Sequence, residues 1–188
     1  MRKATSVLLL MLLACTFMLM FWGCNLYNVE NIYADGLCYT LNAHKKVCFA
    51  GAFAWDGENM VIEVADEIER HPVTSLGGYT GKGVSNPFSV HIEGVHSTWS
   101  EGALPSGARI RQLHFTVNIG KNVEELKNIE MKDYYQIGDT REFYQILVTV
   151  NCAEKNQTFY SRNGKLYRSS DDSLVECFYY FPDYTETH

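Results

Sequence analysis

The stretch "IEVADEIERHPVTSLGG", Ile62 to Gly78, decides how the chain is read. Val61, Val64, Ala65 and Ile68 fall at helical spacing, which would make an amphipathic helix with an acidic outer face. The same residues also read as strand, turn and strand, with "DEIERHP" as the turn. Pro72 favours the second reading, because the residue before a proline is driven to an extended conformation and a helix cannot run through His71. The "VTS" that follows is β-prone. Glu67, Glu69 and His71 then become solvent-facing turn residues, and Ile62, Val64, Ile68, Val73 and Leu76 become core.

Working outward, the same β grammar recurs. "LCYTL" and "VCFAGAF" are apolar and aromatic runs separated by polar "NAHK", a hairpin pattern. "WDGEN" holds a D-G turn before "MVIEV". In "LHFTVNIG" the residues Leu113, Phe115, Val117 and Ile119 alternate with His114, Thr116 and Asn118, so one face is apolar and the other polar. "FYQILVTVNC" is a further strand. Near the C-terminus, Asn163-Gly164 and "SSDD" mark two hairpin turns. The one helix candidate is "KNVEELKNIEMKDYYQI", with Val123, Leu126 and Ile129 on one side. "GGYTGKGVSNP" and "GVHSTWSEGALPSGA" read as long loops.

The 188 residues suit a single domain, and the 46% apolar and 20% charged residues are the balance of a chain that folds. Twelve Tyr and ten Phe favour strands. The first 23 residues stand apart. "MRK" is a basic start, and Val7 to Trp22 is apolar apart from Cys15 and Thr16, the charge order of a secretory signal. The run of about 17 residues lies at the lower edge of what spans a bilayer, so an uncleaved anchor and simple secretion are the other readings. Each of them exports the domain. Removing residues 1–23 takes away Arg2 and Lys3 and no acid, so the net charge of −6 becomes −8. An acidic domain without basic clusters argues against nucleic acid as a partner.

Four cysteines remain in the exported body: Cys38, Cys48, Cys152 and Cys177. Outside the cytoplasm an even count permits disulfides. A hairpin centred on Ala43 would set Cys38 opposite Cys48, leaving Cys152 with Cys177; the alternative is four reduced, buried thiols.

Motifs that carry chemistry are weak. "GGYTGKG" lacks the spacing of a phosphate-binding loop, and Gly83 stands where a magnesium-binding Ser or Thr belongs. His91, Glu93 and His96, with Glu101 or His71, are metal-type ligands, but histidines on a strand's outer face are more often simply solvated, and no metal or other cofactor is expected. Asp66/Glu67 and Asp171/Asp172 lie in turns, where short acids cap backbone N–H groups. No G-x-S-x-G elbow is present. Asn156 to Thr158 matches a glycosylation acceptor, which would be idle were the host bacterial. Tyrosines gather in the C-terminal third, from Tyr134 to Tyr184, and suit either recognition or half-exposed strands.

"FWGC", Phe21 to Cys24, resembles a bacterial lipobox, which implies acylation of Cys24 as the mature N-terminus. "LLAC", Leu12 to Cys15, matches locally but would leave an apolar stretch on the new terminus. "GLCYTLNAHKKVCFAG", "VIEVADEIERHPVTSLGGY", "LHFTVNIGKNVEEL" and "LVTVNCAEKNQTFYSRNGKLYRSSDDSLVECFYYFP" resemble, in order, segments of BspA-like leucine-rich repeat surface proteins. The resemblance touches roughly residues 36–79, 113–126 and 147–182, and the regular repeat is lost between Tyr79 and Arg111. It implies a mainly β fold: a short leucine-rich-repeat-like β-solenoid with hairpin caps and at most one or two short helices. A solenoid coil cannot bury its apolar face alone, so its neighbours supply the core. The implied organisation is signal peptide 1–23, tether 24–35, repeat-like domain 36–182 and tail 183–188. The implied role is a non-enzymatic lipoprotein, membrane-anchored at the bacterial cell surface and binding a protein or glycan. A structural envelope scaffold and an exported hydrolase are the competing classes.

Overall fold

The computed structural model describes residues 29–42, 47–55, 57, 60–79, 85–93, 95–99, 104–131 and 134–181. The signal-like segment, Cys24 and residues 182–188 lie outside them. The described chain is mainly β, with strands β1 (Val29–Ala34), β2 (Leu37–Asn42), β3 (Val47–Trp55), β4 (Val61–Glu63), β5 (Glu67–Ile68) and β6 (His71–Leu76). Then come β7 (Gly78–Tyr79), β8 (Ser85–Asn86), β9 (Val90–Ile92), β10 (Val95–Trp99) and β11 (Arg109–Ile119). β12 (Glu125–Leu126), β13 (Tyr134–Ile137), β14 (Glu142–Cys152), β15 (Phe159–Arg162) and β16 (Lys165–Arg168) complete the order.

Two sheets share one core. The first runs β1-β2-β3-β6-β12, with β5 beside β6 and β9 beside β3; the second runs β10-β13-β14-β11-β4. Neither closes into a barrel. Leu37, Tyr39, Leu41, Ala50 and Phe53 of the first sheet and Ile62, Phe115, Val117, Ile146 and Val148 of the second belong to one buried cluster. Phe53 meets Phe115 edge-on, ring centroids 6.5 Å apart. Tyr39 reaches from the first sheet to the end of β4, donating to the Glu63 carbonyl at 3.3 Å and accepting from the Ala65 N–H at 3.0 Å.

Parallel pairing organises the second sheet. β11 lies parallel to both β14 and β4, and the eleven residues from Arg109 to Ile119 pair in unbroken register with Glu142 to Cys152. Leaving the second sheet after β4, the chain turns a corner at residues 64–66 and enters β6 of the first sheet. After β11 it turns at residues 120–124 and enters β12, which is parallel to β6.

The deciding stretch is strand–turn–strand. Ile62, Val73 and Leu76 are fully buried, Val64 nearly so, and Ile68 packs against the core. β5 and β6 form a tight hairpin, Ile68 opposite His71, through Glu69 and Arg70. Gly77 (φ +61°) can only be glycine, since a Cβ there would sit 2.1 Å from the Asn128 carbonyl oxygen.

Three expectations are corrected. Residues 29–34, expected in a tether, form edge strand β1, whose Ile32 and Ala34 pack on the core. No helix forms among the described residues of 121–137. Val123, Leu126 and Ile129 do face the core, but the backbone bonds go to neighbouring segments: Glu124 N–H to Thr74 O (2.8 Å), Lys127 N–H to Leu76 O (3.0 Å) and Glu130 N–H to Phe88 O (3.0 Å). Tertiary partners override local helix propensity here. Finally, the β2–β3 register sets Leu41, not Cys38, opposite Cys48, because the hairpin centres beyond Ala43. Cys38 faces Tyr33 of β1 instead. All four cysteines are free thiols.

Candidate functional site

β11 buries Leu113, Phe115, Val117 and Ile119 and turns Gln112, His114, Thr116 and Asn118 outward, as alternation predicts. Because β11 and β14 are parallel and in register, like residues meet: Gln112 beside Gln145, Thr116 beside Thr149 and Asn118 beside Asn151. The side chains bond across the strands. Gln112 Nε2–H donates to Gln145 Oε1 at 3.0 Å, and Asn151 Nδ2–H donates to Asn118 Oδ1 at 2.9 Å. Asn118 in turn donates to the Glu63 carboxylate on β4. His114 Nε2 lies 2.7 Å from Thr149 Oγ1. The result is an exposed polar ladder across three strands spaced about 4.8 Å apart. Phe181 closes one side, its ring stacked on His114 at 4.1 Å.

At the C-terminal ends of these strands the ladder opens on a shallow groove of about 480 Å³, lined by Asp35, Glu63, Asp66, Asn118, Gly120 and Asn151 among others. Asp66 accepts from the Lys121 N–H at 2.8 Å and pairs with Lys121 Nζ at 3.0 Å. These bonds, the backbone N–H foremost, hold its carboxyl below the usual range. Gly120 is the close approach: a Cβ would meet Asp66 Oδ1 at 2.9 Å.

Asn156 lies beneath this corner and is 8% exposed. Its Nδ2 donates to Gly120 O and Val123 O, both at 2.9 Å. Its Oδ1 accepts from Thr158 N–H (2.9 Å) and Phe159 N–H (2.8 Å). The glycosylation-type sequence is therefore folded inward as a structural bracket.

The other sequence candidates do not converge. His91 and Glu93 are exposed, the side chain of His96 and all of Glu101 lie outside the described residues, and His71 Nδ1 is bonded to its own turn at Glu69 O, 2.9 Å. No group of three His, Cys, Asp or Glu is close enough to share a metal among the described residues. Asp171 caps its turn as expected, accepting from Ser173 N–H and Oγ–H. Burial pushes the thiols of Cys48 and Cys152 up to about 11, which leaves little thiolate at neutral pH.

The tyrosines divide. Tyr180 donates to Val175 O and accepts from Leu166 N–H, and Tyr135 donates to Glu130 O, so both hold the fold. Tyr160 and Tyr167 stack at 5.4 Å on the C-terminal hairpin, with Arg162 over Tyr167 at 4.5 Å.

The ladder had a sequence signal that strand-by-strand reading passes over. "QLHFTVN" at 112–118 and "QILVTVN" at 145–151 share Gln, Thr-Val and Asn at an offset of 33 residues. Comparison with protein-family models, with curated proteins and with solved structures finds no match.

Proposed function

We propose that this chain is a non-enzymatic cell-envelope lipoprotein that binds a protein or glycan through the outer face of β4, β11 and β14. The observation carrying this reading is the ladder itself. An in-register row of amides and hydroxyls on the outer face of a sheet offers donors and acceptors together, which suits an extended polar ligand. In the same reading the parallel strands that pass through corners from one sheet to the other are the coils of a short leucine-rich-repeat-like solenoid. The β2–β3 and β15–β16 hairpins cover its ends. The signal-like N-terminus and the lipobox-like "FWGC" support export and anchoring through Cys24.

Two measurements test this. Cys24→Ala is expected to abolish lipid labelling and leave an unprocessed precursor; unchanged processing would reject the anchor. Gln112→Ala with Asn151→Ala, both on the exposed face, is expected to lower retention on envelope fractions or a glycan array by about tenfold with a nearly unchanged melting temperature. Full retention would reject this face as the binding surface.

A further inference from the structure

A lipid on Cys24 leaves the folded domain very little slack. Only four residues, Asn25 to Asn28, separate Cys24 from Val29, the first residue of β1. The five Cα-to-Cα steps between them reach no more than about 18 Å even when fully extended. The strand itself is not spare length. All six residues from Val29 to Ala34 pair in unbroken register with β2, and Ile32 and Ala34 pack on the core. Drawing β1 out as a tether would break that pairing and take two side chains off the core. A domain of about 150 residues has a radius of gyration of about 15 Å, so a link of this reach cannot pass round to the side opposite β1.

β1 also has the make-up of a boundary. It is the end strand of the first sheet, and among the described residues its outer edge pairs with no other strand. Such an edge presents backbone N–H and C=O groups that water or polar headgroups can meet. Tyr33 on this strand is 78% exposed, the highest value among the large apolar side chains described. Tyrosine joins an apolar ring to a polar hydroxyl, and for that reason gathers where a bilayer meets water. We propose that β1 is the membrane-docking edge of this domain, lying along the bilayer that holds the Cys24 lipid with the Tyr33 ring in the headgroup layer. The proposal rests on the anchor at Cys24 and adds which side of the domain the bilayer takes. Tyr33 is the discriminating position. It stands four residues beyond Val29, about 13 Å along the strand, so it meets lipid when β1 lies along the surface and not when β1 stands on end.

The test uses the full chain, its lipid confirmed by mass, in phosphatidylcholine vesicles. Tyr33, Tyr79 and Ile110, all exposed, are replaced one at a time by the photo-cross-linker p-benzoylphenylalanine. At position 33 this exchanges one exposed aromatic ring for another and leaves the core untouched. Position 33 is expected to capture lipid several-fold more than position 79 or position 110. No capture at 33, or equal or greater capture at 79 or 110, overturns the docking edge while the anchor stands. A chain that carries no lipid on Cys24 overturns the anchor, and this proposal with it.

Discussion

Asn156 shows how much one side chain carries in a fold built from corners. Two of its four hydrogen bonds tie the loop after β14 to Gly120 and Val123, some 33 to 36 residues earlier, and the other two hold its own loop at Thr158 and Phe159. Truncation would strand two buried carbonyls and two N–H groups at once. Asn156→Ala is therefore expected to cost about 2–4 kcal/mol in urea denaturation, whereas Asn151→Ala on the exposed ladder should stay within about 0.5 kcal/mol. Equal effects would contradict this division between bracket and surface. In the sequence Asn156 shows only as a glycosylation-type tripeptide, because the two carbonyls it donates to lie 33 and 36 residues earlier. Asp171 was legible, by contrast, because its partner Ser173 is two residues away.

At the scale of elements, the β5–β6 hairpin is held in an unusual way. Glu69 (φ +49°) and Arg70 (φ +66°) both take left-handed conformations, the pattern of a type I′ turn, where Asn-Gly is the favoured pair. Asn163 (φ +52°) and Gly164 (φ +72°) supply that pair in the β15–β16 turn. Glu69→Asn with Arg70→Gly should relieve strain of about 1 kcal/mol and raise the melting temperature by about 2–4 °C. A lower melting temperature would mean that the two side chains contribute contacts outweighing the strain. The β15–β16 hairpin was readable from local chemistry through Asn163-Gly164; Pro72 excluded a helix, but Glu67, Ile68 and His71, expected in a single turn, lie in β5 and β6. The stretch from Lys121 to Ile137 was not readable. Apolar residues three apart, Val123, Leu126 and Ile129, match a helix as well as a chain that turns corners, and only the carbonyls of Thr74, Leu76 and Phe88 decide between them. The Cys38–Cys48 opposition failed for a smaller reason, a hairpin centre shifted by one to two residues.

For the whole molecule, the mainly β character followed from alternation and aromatic content, while the parallel pairing of β4, β11 and β14 did not, since strand patterns carry no direction. The shared core that results should open as a unit. Cys48 is 1% exposed inside it, and at pH 8 roughly one in a thousand of its thiols is ionised given the rise to about 11. Iodoacetamide should thus label Cys48 only as fast as the chain unfolds, with labelling tracking the unfolded fraction across a urea series. Rapid labelling without denaturant would show that the two sheets do not share one sealed interior.

Glu63 ends the ladder, and its chemistry bears on how copies of this chain behave at high concentration. Asn118 meets Asn151 on one side, amide to amide, a contact that any further asparagine could extend. On the other side stands a carboxylate, which accepts and cannot donate, on a strand only three residues long. Two such edges brought together would set like charges face to face, the kind of edge that resists strand-to-strand growth. An amide at position 63 would lift that repulsion and make the edge self-complementary. The charge that terminates the row therefore opposes strand-to-strand growth at this end, where Tyr39 already takes the Glu63 carbonyl.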